Sequence, residues 1–536
     1  ISNFEFKKGV RVTEQTLVRT KPSINKWLVA IAVMSSAIIE VLDTSVVNVS
    51  LPHIAGSLSA TTDEATWVLT SYLVANAIVL PLSGWLANYF GRKRLLMSVV
   101  CGFTVSSLLC GMAPNLPSLV FFRIMQGVTG GGLQPLSQAV LLEEFPRKEH
   151  GKAMAVWAMG IVVAPILGPT LGGWLTDNYS WRWVFYINLP IGIISLVLIG
   201  LYVWDPPYIS RGKLRFDAWG LGMLVVGMGA FQIMLDKGQE EDWFASKFIV
   251  VLCVVAIVLL TAFVVRQLKV ENPLVKFRLM SDRNFACGIS LVSLMLFVLY
   301  GSLVLLPLFM QELLGWTAVT TGFWTGPRGI AIAVAMPVVG KLLGKGWDGR
   351  LMVAGGFAAA SISYLAGYSH MNLNSGAWDI VWPQLIQGVG VGFIFVPLTV
   401  LTMSRIQKQD MGYASSLYSI MRNIGSSIGI PFVTTLIARR SQFHQVRLGE
   451  HVTAYDPRAT QYLSTTAHFF ANAGSDAVAA KMQGIEVVYR SMLQQASLMS
   501  FLDAFKIMGF VLIGVIPLIF IMKKASKKPQ KMEMME

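Results

Sequence analysis

The sequence predicts an all-α integral membrane protein that crosses the bilayer fourteen times. Three observations carry that expectation. Hydrophobic residues make up 54% of the 536 and charged residues only 13%, with a mean hydropathy of +0.59, far from the balance of a soluble domain. Apolar runs long enough for about 30 Å of hydrocarbon recur along nearly the whole chain. The basic residues gather on alternate connections between those runs.

Taken in order, the leading 1–26 is polar and basic, begins with Ile and reads as a cytoplasmic tail without a signal peptide, so the first run would direct insertion. That run, 27–49, carries two carboxylates. Runs 67–87 and 96–112 are joined by the basic turn "GRKR" (91–94), and 117–141, 153–175 and 182–203 complete a first group of six. Runs 217–236 and 247–265 follow a short basic segment. The second group is 286–309, 317–339, 351–368, 380–404, 412–437 and 500–522. Its last two runs are separated by 438–498, the one sizeable extramembrane element, whose Gln, Ala, Ser and Tyr alternation suits short amphipathic helices and loops.

A net charge of +14 raises nucleic acid as a partner, but the positions of the charges argue for topology instead. With the N-terminus in the cytoplasm, 30 of the 43 Lys and Arg fall on that side, in the tails and in turns such as "RGKLR" (211–215) and "KKASKKPQK" (523–531). Short outer loops hold only Arg182, Lys237 and Lys247. Both termini are therefore expected inside and 438–498 outside.

Internal repetition divides the chain. "RIMQGVTGGGLQPLSQAVLL" (123–142) aligns with "QLIQGVGVGFIFVPLTVLTM" (384–403), and "GWLANYFGR" (84–92) is echoed by "GKLLGKGWDGR" (340–350). The offset of about 260 residues exceeds what six helices need. The expected organisation is a six-helix bundle (27–203), an inserted two-helix linker (204–266), and a second bundle formed by 267–437 and the last helix (499–522), with the outer loop 438–498 between its parts and a cytoplasmic tail, 523–536.

Two motifs concern movement. In "GWLANYFGRKRL" (84–95), Gly84 and Gly91 permit a tight turn that Arg92, Lys93 and Arg94 hold at an anionic surface. In "GIVVAPILGPTLGGW" (160–174), Pro165 and Pro169 remove backbone donors, while Gly160, Gly168, Gly172 and Gly173 admit a neighbouring helix. The first resembles the loop motif of the major facilitator superfamily, with Asn88 in place of the family's Asp. The second resembles the superfamily's antiporter motif. With "LTDNYSWRWVFYINLPIG" (175–192), "QIMLDKGQEEDWF" (232–244), "FMQELLGWTAVTTGFWTGPRGI" (309–330) and "QQASLMSFLDAFKIMG" (494–509), the whole chain resembles the fourteen-helix drug:proton antiporter family in its EmrB-type branch. That resemblance implies a major facilitator fold, proton-driven efflux of hydrophobic or amphipathic toxic compounds by alternating access, an inner-membrane location, and partnership with a periplasmic adaptor and an outer-membrane channel. Export of one specific endogenous substrate, such as a fatty acid, siderophore or bile salt, is the alternative.

A carboxylate in mid-membrane costs roughly 2.5–3.5 kcal/mol on insertion scales. Glu40 and Asp43, three residues apart, share a helical side. Arg123 is the cation of the first-half core and matches the superfamily's basic residue in R-x-x-Q-G, whose repeat counterpart is Gln384. Asp43 is expected to couple protons with Arg123 as its charge partner, while Glu40 either tunes Asp43 or meets a cationic substrate; a structural salt bridge is the competing reading. Cavity candidates come from helical faces: Tyr72 with Asn76, Gln134 with Gln138, and Tyr418 with Arg422, together with Gln126 and Trp157, each of which could equally be an interhelical hydrogen bond. Arg328 carries the same ambiguity. Asp503 and Lys506 read as a pair at the outer end of the last helix.

Other classes fit poorly. None of the four Gly-Lys pairs is followed by Ser or Thr, as a phosphate-binding loop requires. The six histidines are scattered, no metal or other cofactor is expected, and His444 and His451 read as surface residues. Cys101, Cys110, Cys253 and Cys287 all fall in predicted helices. A non-transporting receptor remains as the rival to a transporter.

Overall fold

The computed structural model describes residues 25–205, 217–453 and 455–523; the tails, most of the expected 204–216 loop and the side chain of Pro169 lie outside the described residues. Helices follow one another with no strand among those residues. They are α1 (Lys26–Ser57), α2 (Glu64–Phe90), α3 (Arg92–Met112), α4 (Leu116–Gly130), α5 (Leu133–Glu144), α6 (His150–Asn178), α7 (Trp183–Tyr202), α8 (Ala218–Lys237), α9 (Lys247–Lys269), α10 (Arg283–Leu313), α11 (Ala318–Gly344), α12 (Gly349–His370), α13 (Ala377–Met403), α14 (Met411–Gly449), α15 (Pro457–Asn472) and α16 (Ala477–Ile519). Thirteen of the expected runs each fall within one of these to within three residues, and 117–141 spans α4 and α5. Among the described residues twelve helices are individually long and apolar enough to cross a membrane. The other two expected crossings are α6 and the α4–α5 pair, which the Gly131-Gly132 turn divides.

Two six-helix bundles result, α1–α7 and α10–α14 with α16, and α8–α9 pack together as an added pair. Asp217 ties that pair by capping α8, receiving the Gly220 amide at 3.0 Å, and by accepting from Arg266 and Gln267 of α9. On its other side α8 touches both bundles. Asp236 accepts from Thr70 of α2, and Gln232 accepts from Ser427 of α14 at 3.2 Å.

The 438–498 region holds one of the expected short amphipathic helices, α15, with loops on either side, but the flanking helices run far into it. α14 continues unbroken to Gly449 and α16 begins at Ala477, making them 39 and 43 residues long. At 1.5 Å per residue they reach about 58 and about 64 Å, roughly twice the hydrocarbon thickness. α15 lies against α16, where a Cβ on Gly484 would come 3.1 Å from the Ala467 nitrogen. Asp503 likewise departs from expectation. It bonds Arg440 (2.5 Å) and His444 (2.7 Å) across to α14, because those groups face it in space, while Lys506 is exposed.

The bonds joining the bundles gather at the end that carries Gly91. A Cβ on Gly84 would sit 2.9 Å from the Gly412 carbonyl oxygen, and Ser416 donates to the Leu80 carbonyl at 2.8 Å. Gly340 meets Gly151 equally closely, and Arg147 and Lys408 reach the Ile406 and Glu143 carbonyls. Glycines are needed here since backbone opposes backbone. Gly84→Val should therefore cost about 1–3 kcal/mol at this contact and part the bundles at this end. Spin labels at Lys148 and Gln409 should report a longer distance distribution; an unchanged one would refute the contact's role.

Candidate functional site

The run Gly160–Gly173 packs α6 onto α1: Cβ atoms on Gly168 and Gly172 would lie 2.3 Å from Ser45 Cβ and 2.8 Å from the Val46 oxygen, and one on Gly160 would lie 3.0 Å from Ile38. Gly173 is looser, at 4.0 Å from Val49. This close seat fixes α1, and with it both acids.

Asp43 is fully buried. It accepts from Arg123 Nη1 at 2.6 Å, Gln126 Nε2 at 2.9 Å and Asn188 Nδ2 at 2.7 Å. Arg123, equally buried, donates Nε to the Val68 carbonyl at 3.0 Å and lies over the Tyr72 ring, 4.1 Å from its centroid. Asn188 also bonds Ser107 at 3.0 Å, so α1, α2, α3, α4 and α7 share one network. Charge-assisted bonds and the ring face offset the removal of both ions from water.

Glu40 points elsewhere, into a cavity of about 960 Å³, counting its open mouth, between the bundles. Asn76 donates to its Oε1 at 2.9 Å, Gln134 lies beside the same carboxyl, and Oε2 is left without a hydrogen bond of ordinary geometry. Across the gap stand Tyr300, Arg328 and Arg422. Leu299, Leu303, Ile332 and Phe395 give the wall its apolar area. One acid and two cations in an apolar chamber can orient an amphipathic molecule by its head.

Of the expected cavity residues, Asn76, Gln134 and Arg422 line this chamber, as do Glu40 and Pro165. The others stand behind its wall. Tyr72 and Gln126 serve the Asp43 network. Trp157 donates to Ser137 at 3.1 Å while its ring underlies the Arg422 guanidinium at 5.6 Å. Tyr418 bonds Thr399 at 2.7 Å, and the amide of Gln138 is buried without a partner. Sequence reasoning missed Tyr300 and Asn188. It also missed Ser419, Asn423 and Ser426, although with Arg422 their i, i+3, i+4, i+7 spacing marks one polar stripe on α14.

At the closed end, Gly91 takes φ +92°, a left-handed turn that favours glycine. Arg92 is fully buried, 2.5 Å from Glu143, and packs against Gly412, where an added Cβ would meet Nη1 at 2.6 Å. Asn88 bonds the Tyr413 hydroxyl, whose ring faces the Lys276 ammonium (4.6 Å), itself paired with Asp410 at 2.7 Å. The position that the resembled loop motif fills with an Asp is held here by a neutral amide.

Residues 33–430 match the family profile described as Major Facilitator Superfamily. The chain belongs to that superfamily. It is 39% identical over 487 residues to the fatty acid resistance protein FarB of Neisseria gonorrhoeae, covering 90% of this chain and 93% of that one. It is 40% identical over 430 residues to the multidrug export protein EmrB of Haemophilus influenzae, covering 80% and 84%. The crystal structure of the human organic anion transporter MFSD10 shares the fold, with a TM-score of 0.59 at 12% identity over 91% of this chain and 100% of that one. As in other members of the superfamily, the halves repeat. Gln384 donates to the Trp324 carbonyl at 2.7 Å as Arg123 does to that of Val68, and Gln387 donates to Ser302 as Gln126 does to Asp43.

The repeat supplies a test. Arg123→Gln alone leaves Asp43 buried without its cation and should cost about 3–5 kcal/mol, seen as a lower unfolding temperature in detergent. Adding Asp43→Ser, which gives the first half the neutral residue types of Ser302 and Gln384, should restore most of the loss; no recovery would show that the pair does not account for the loss.

Proposed function

We propose that this chain is a proton-coupled exporter of hydrophobic or amphipathic toxic compounds, seated in a bacterial inner membrane and working with a periplasmic adaptor and an outer-membrane channel. The observation that carries this reading is the apolar chamber between two repeated bundles, closed at the Gly91 end and holding an acid without a fixed cation partner. The names of its relatives, a multidrug export protein and a fatty acid resistance protein, support it.

Both termini and the 204–216 loop are taken as cytoplasmic and 438–498 as periplasmic, following the bias of basic residues. The bundles, 27–203 and 267–437 with 499–522, are then closed toward the cytoplasm, and 204–266 is the inserted linker. A cysteine replacing Ser475 should react with an impermeant thiol reagent in intact spheroplasts. Labelling only after lysis would reverse the orientation.

The sequence favours Asp43 as the proton-coupling acid; the geometry favours Glu40. Asp43 is held by three donors and does not line the chamber, whereas Glu40 faces it with one oxygen outside any hydrogen bond of ordinary geometry. A proton arriving from the open side alters the grip of Glu40 on whatever occupies the chamber, while Asp43 and Arg123 position the helices around it. Glu40→Gln should keep substrate counterflow in proteoliposomes but lose uphill transport under an imposed proton gradient. Uphill transport that survives this change would return the role to Asp43.

A second reading, export of an amphipathic acid such as a fatty acid, is favoured by Arg328 and Arg422 outnumbering Glu40 in the chamber. An efflux panel of acids, cations and neutral compounds in a pump-deficient bacterium separates the two.

A further inference from the structure

α16 carries an apolar stripe far from the membrane. Val478 is 75% exposed, Met482 66%, Ile485 44% and Tyr489 55%. Their spacing of four, three and four residues is that of a coiled-coil seam, and at about 100° per residue all four fall within about 60° of one face. Counting back from Ile519, roughly 20 residues cross the hydrocarbon, so Tyr489 and Val478 stand about 15 and about 30 Å beyond it, at water level. Lipid cannot cover them there. α15 does not cover them either, because it packs on the opposite face, at Gly484.

What suits the stripe is shown by the rest of the same face. Continued along α16, that face reaches Met492, whose sulfur lies 3.9 Å from where a Gly449 Cβ would be, and then Asp503, bonded to Arg440 and His444. This lower part is filled by α14. α14 ends at Gly449, level with Met492, and from there upward the face lies open. The position is thus that of a helix, occupied below and vacant above. Among the described residues no segment of this chain occupies it. Apart from Ala454, the undescribed stretches adjoin Asn25, Lys523 or the α7–α8 connection. All three adjoin the Gly91 end: Lys26 pairs with Glu149, Lys523 with Asn284, and the Lys93 amide with Asp205.

We infer that the Val478–Tyr489 seam docks a helix of another protein, stacked end to end above α14 and presenting its own apolar residues at heptad spacing between Lys481 and Glu486. The inference rests on the exporter reading for its partner, the periplasmic adaptor, and adds where the adaptor binds and by what element. In the native host, a photo-crosslinking amino acid at Met482 or Tyr489 of the full chain should give adducts whose partner peptides are adaptor residues spaced three or four apart on one helix. The same probe at Gln483, which is exposed off the seam, should give none. Met482→Lys with Ile485→Lys should abolish those adducts and cellular resistance while transport by the purified chain in proteoliposomes stays unchanged. Equal adducts at Gln483, adducts to a second copy of this chain, or unchanged resistance in the double variant would each overturn the seam. The expected adducts from a chain that moves no substrate in proteoliposomes would uphold the seam and overturn the exporter reading instead.

Discussion

The centre of this molecule depends on one carboxylate and one guanidinium leaving water together. Each ion costs several kcal/mol to bury even after relaxation, and either alone would be strongly destabilising. Asp43 and Arg123 meet at 2.6 Å, and Gln126, Asn188, the Val68 carbonyl and the Tyr72 ring add further contacts, leaving Arg123 Nη2 without a hydrogen bond. The compensation draws donors and acceptors from separate helices, so it also sets how those helices turn about one another. α1 is fixed by it on one side and by the α6 glycines on the other. Three residues before Asp43, at about 60° around the same helix, Glu40 is thereby turned out of the bundle and into the gap.

The second half shows what the first would be without that pair. Ser302 stands where Asp43 does and Gln384 where Arg123 does, and each makes the corresponding contact with neutral groups. The cation has moved rather than vanished. Cβ atoms on Gly127 and Gly388 would meet the Tyr72 and Arg328 carbonyls in turn, which makes Arg328 the counterpart of Tyr72. Arg328 reaches Ser302 at 3.2 Å and lines the chamber, so the fold keeps one buried polar cluster per half but confines charge neutrality within the bundle to the first.

The fold was legible because a membrane crossing is a length of apolar sequence, and thirteen of the fourteen runs each fall within one helix to within three residues, the other being divided by the Gly131-Gly132 turn. The 438–498 region was not, because continuation of α14 and α16 into water leaves no hydrophobic run, and the only signal is a sparse heptad. Asp43 and Arg123 could be paired from cost alone, since two buried opposite charges must compensate. Spacing served the cavity less well: an i, i+4 pair names a face of a helix without saying whether that face meets the gap or a neighbour. Hence Asn76 and Arg422 line the chamber while Tyr72 and Tyr418, one turn earlier on the same helices, support it from behind. Asp503 repeats the lesson. Its neighbour in sequence is Lys506, but its partners lie sixty residues away on α14.

The inserted pair bears on how these parts can move. α9 exposes most of its apolar length, as suits a helix facing lipid, whereas α8 carries polar groups toward both bundles. Its ties to the first are charged: Asp236 to Thr70, and Lys237 to Thr66 at 3.1 Å. Those to the second are neutral: Ser427 to Gln232 of α8, and Thr435 to Gln239 and Trp243 in the turn that follows α8. Hydrogen bonds to a charged group are worth about 1.5–3 kcal/mol and neutral ones about 1. Any rocking of one bundle against the other must break one set, and the weaker set is the one to α14. The stronger ties of the pair are therefore those to the first bundle, at α2, whose far end carries the closed contact at Gly84.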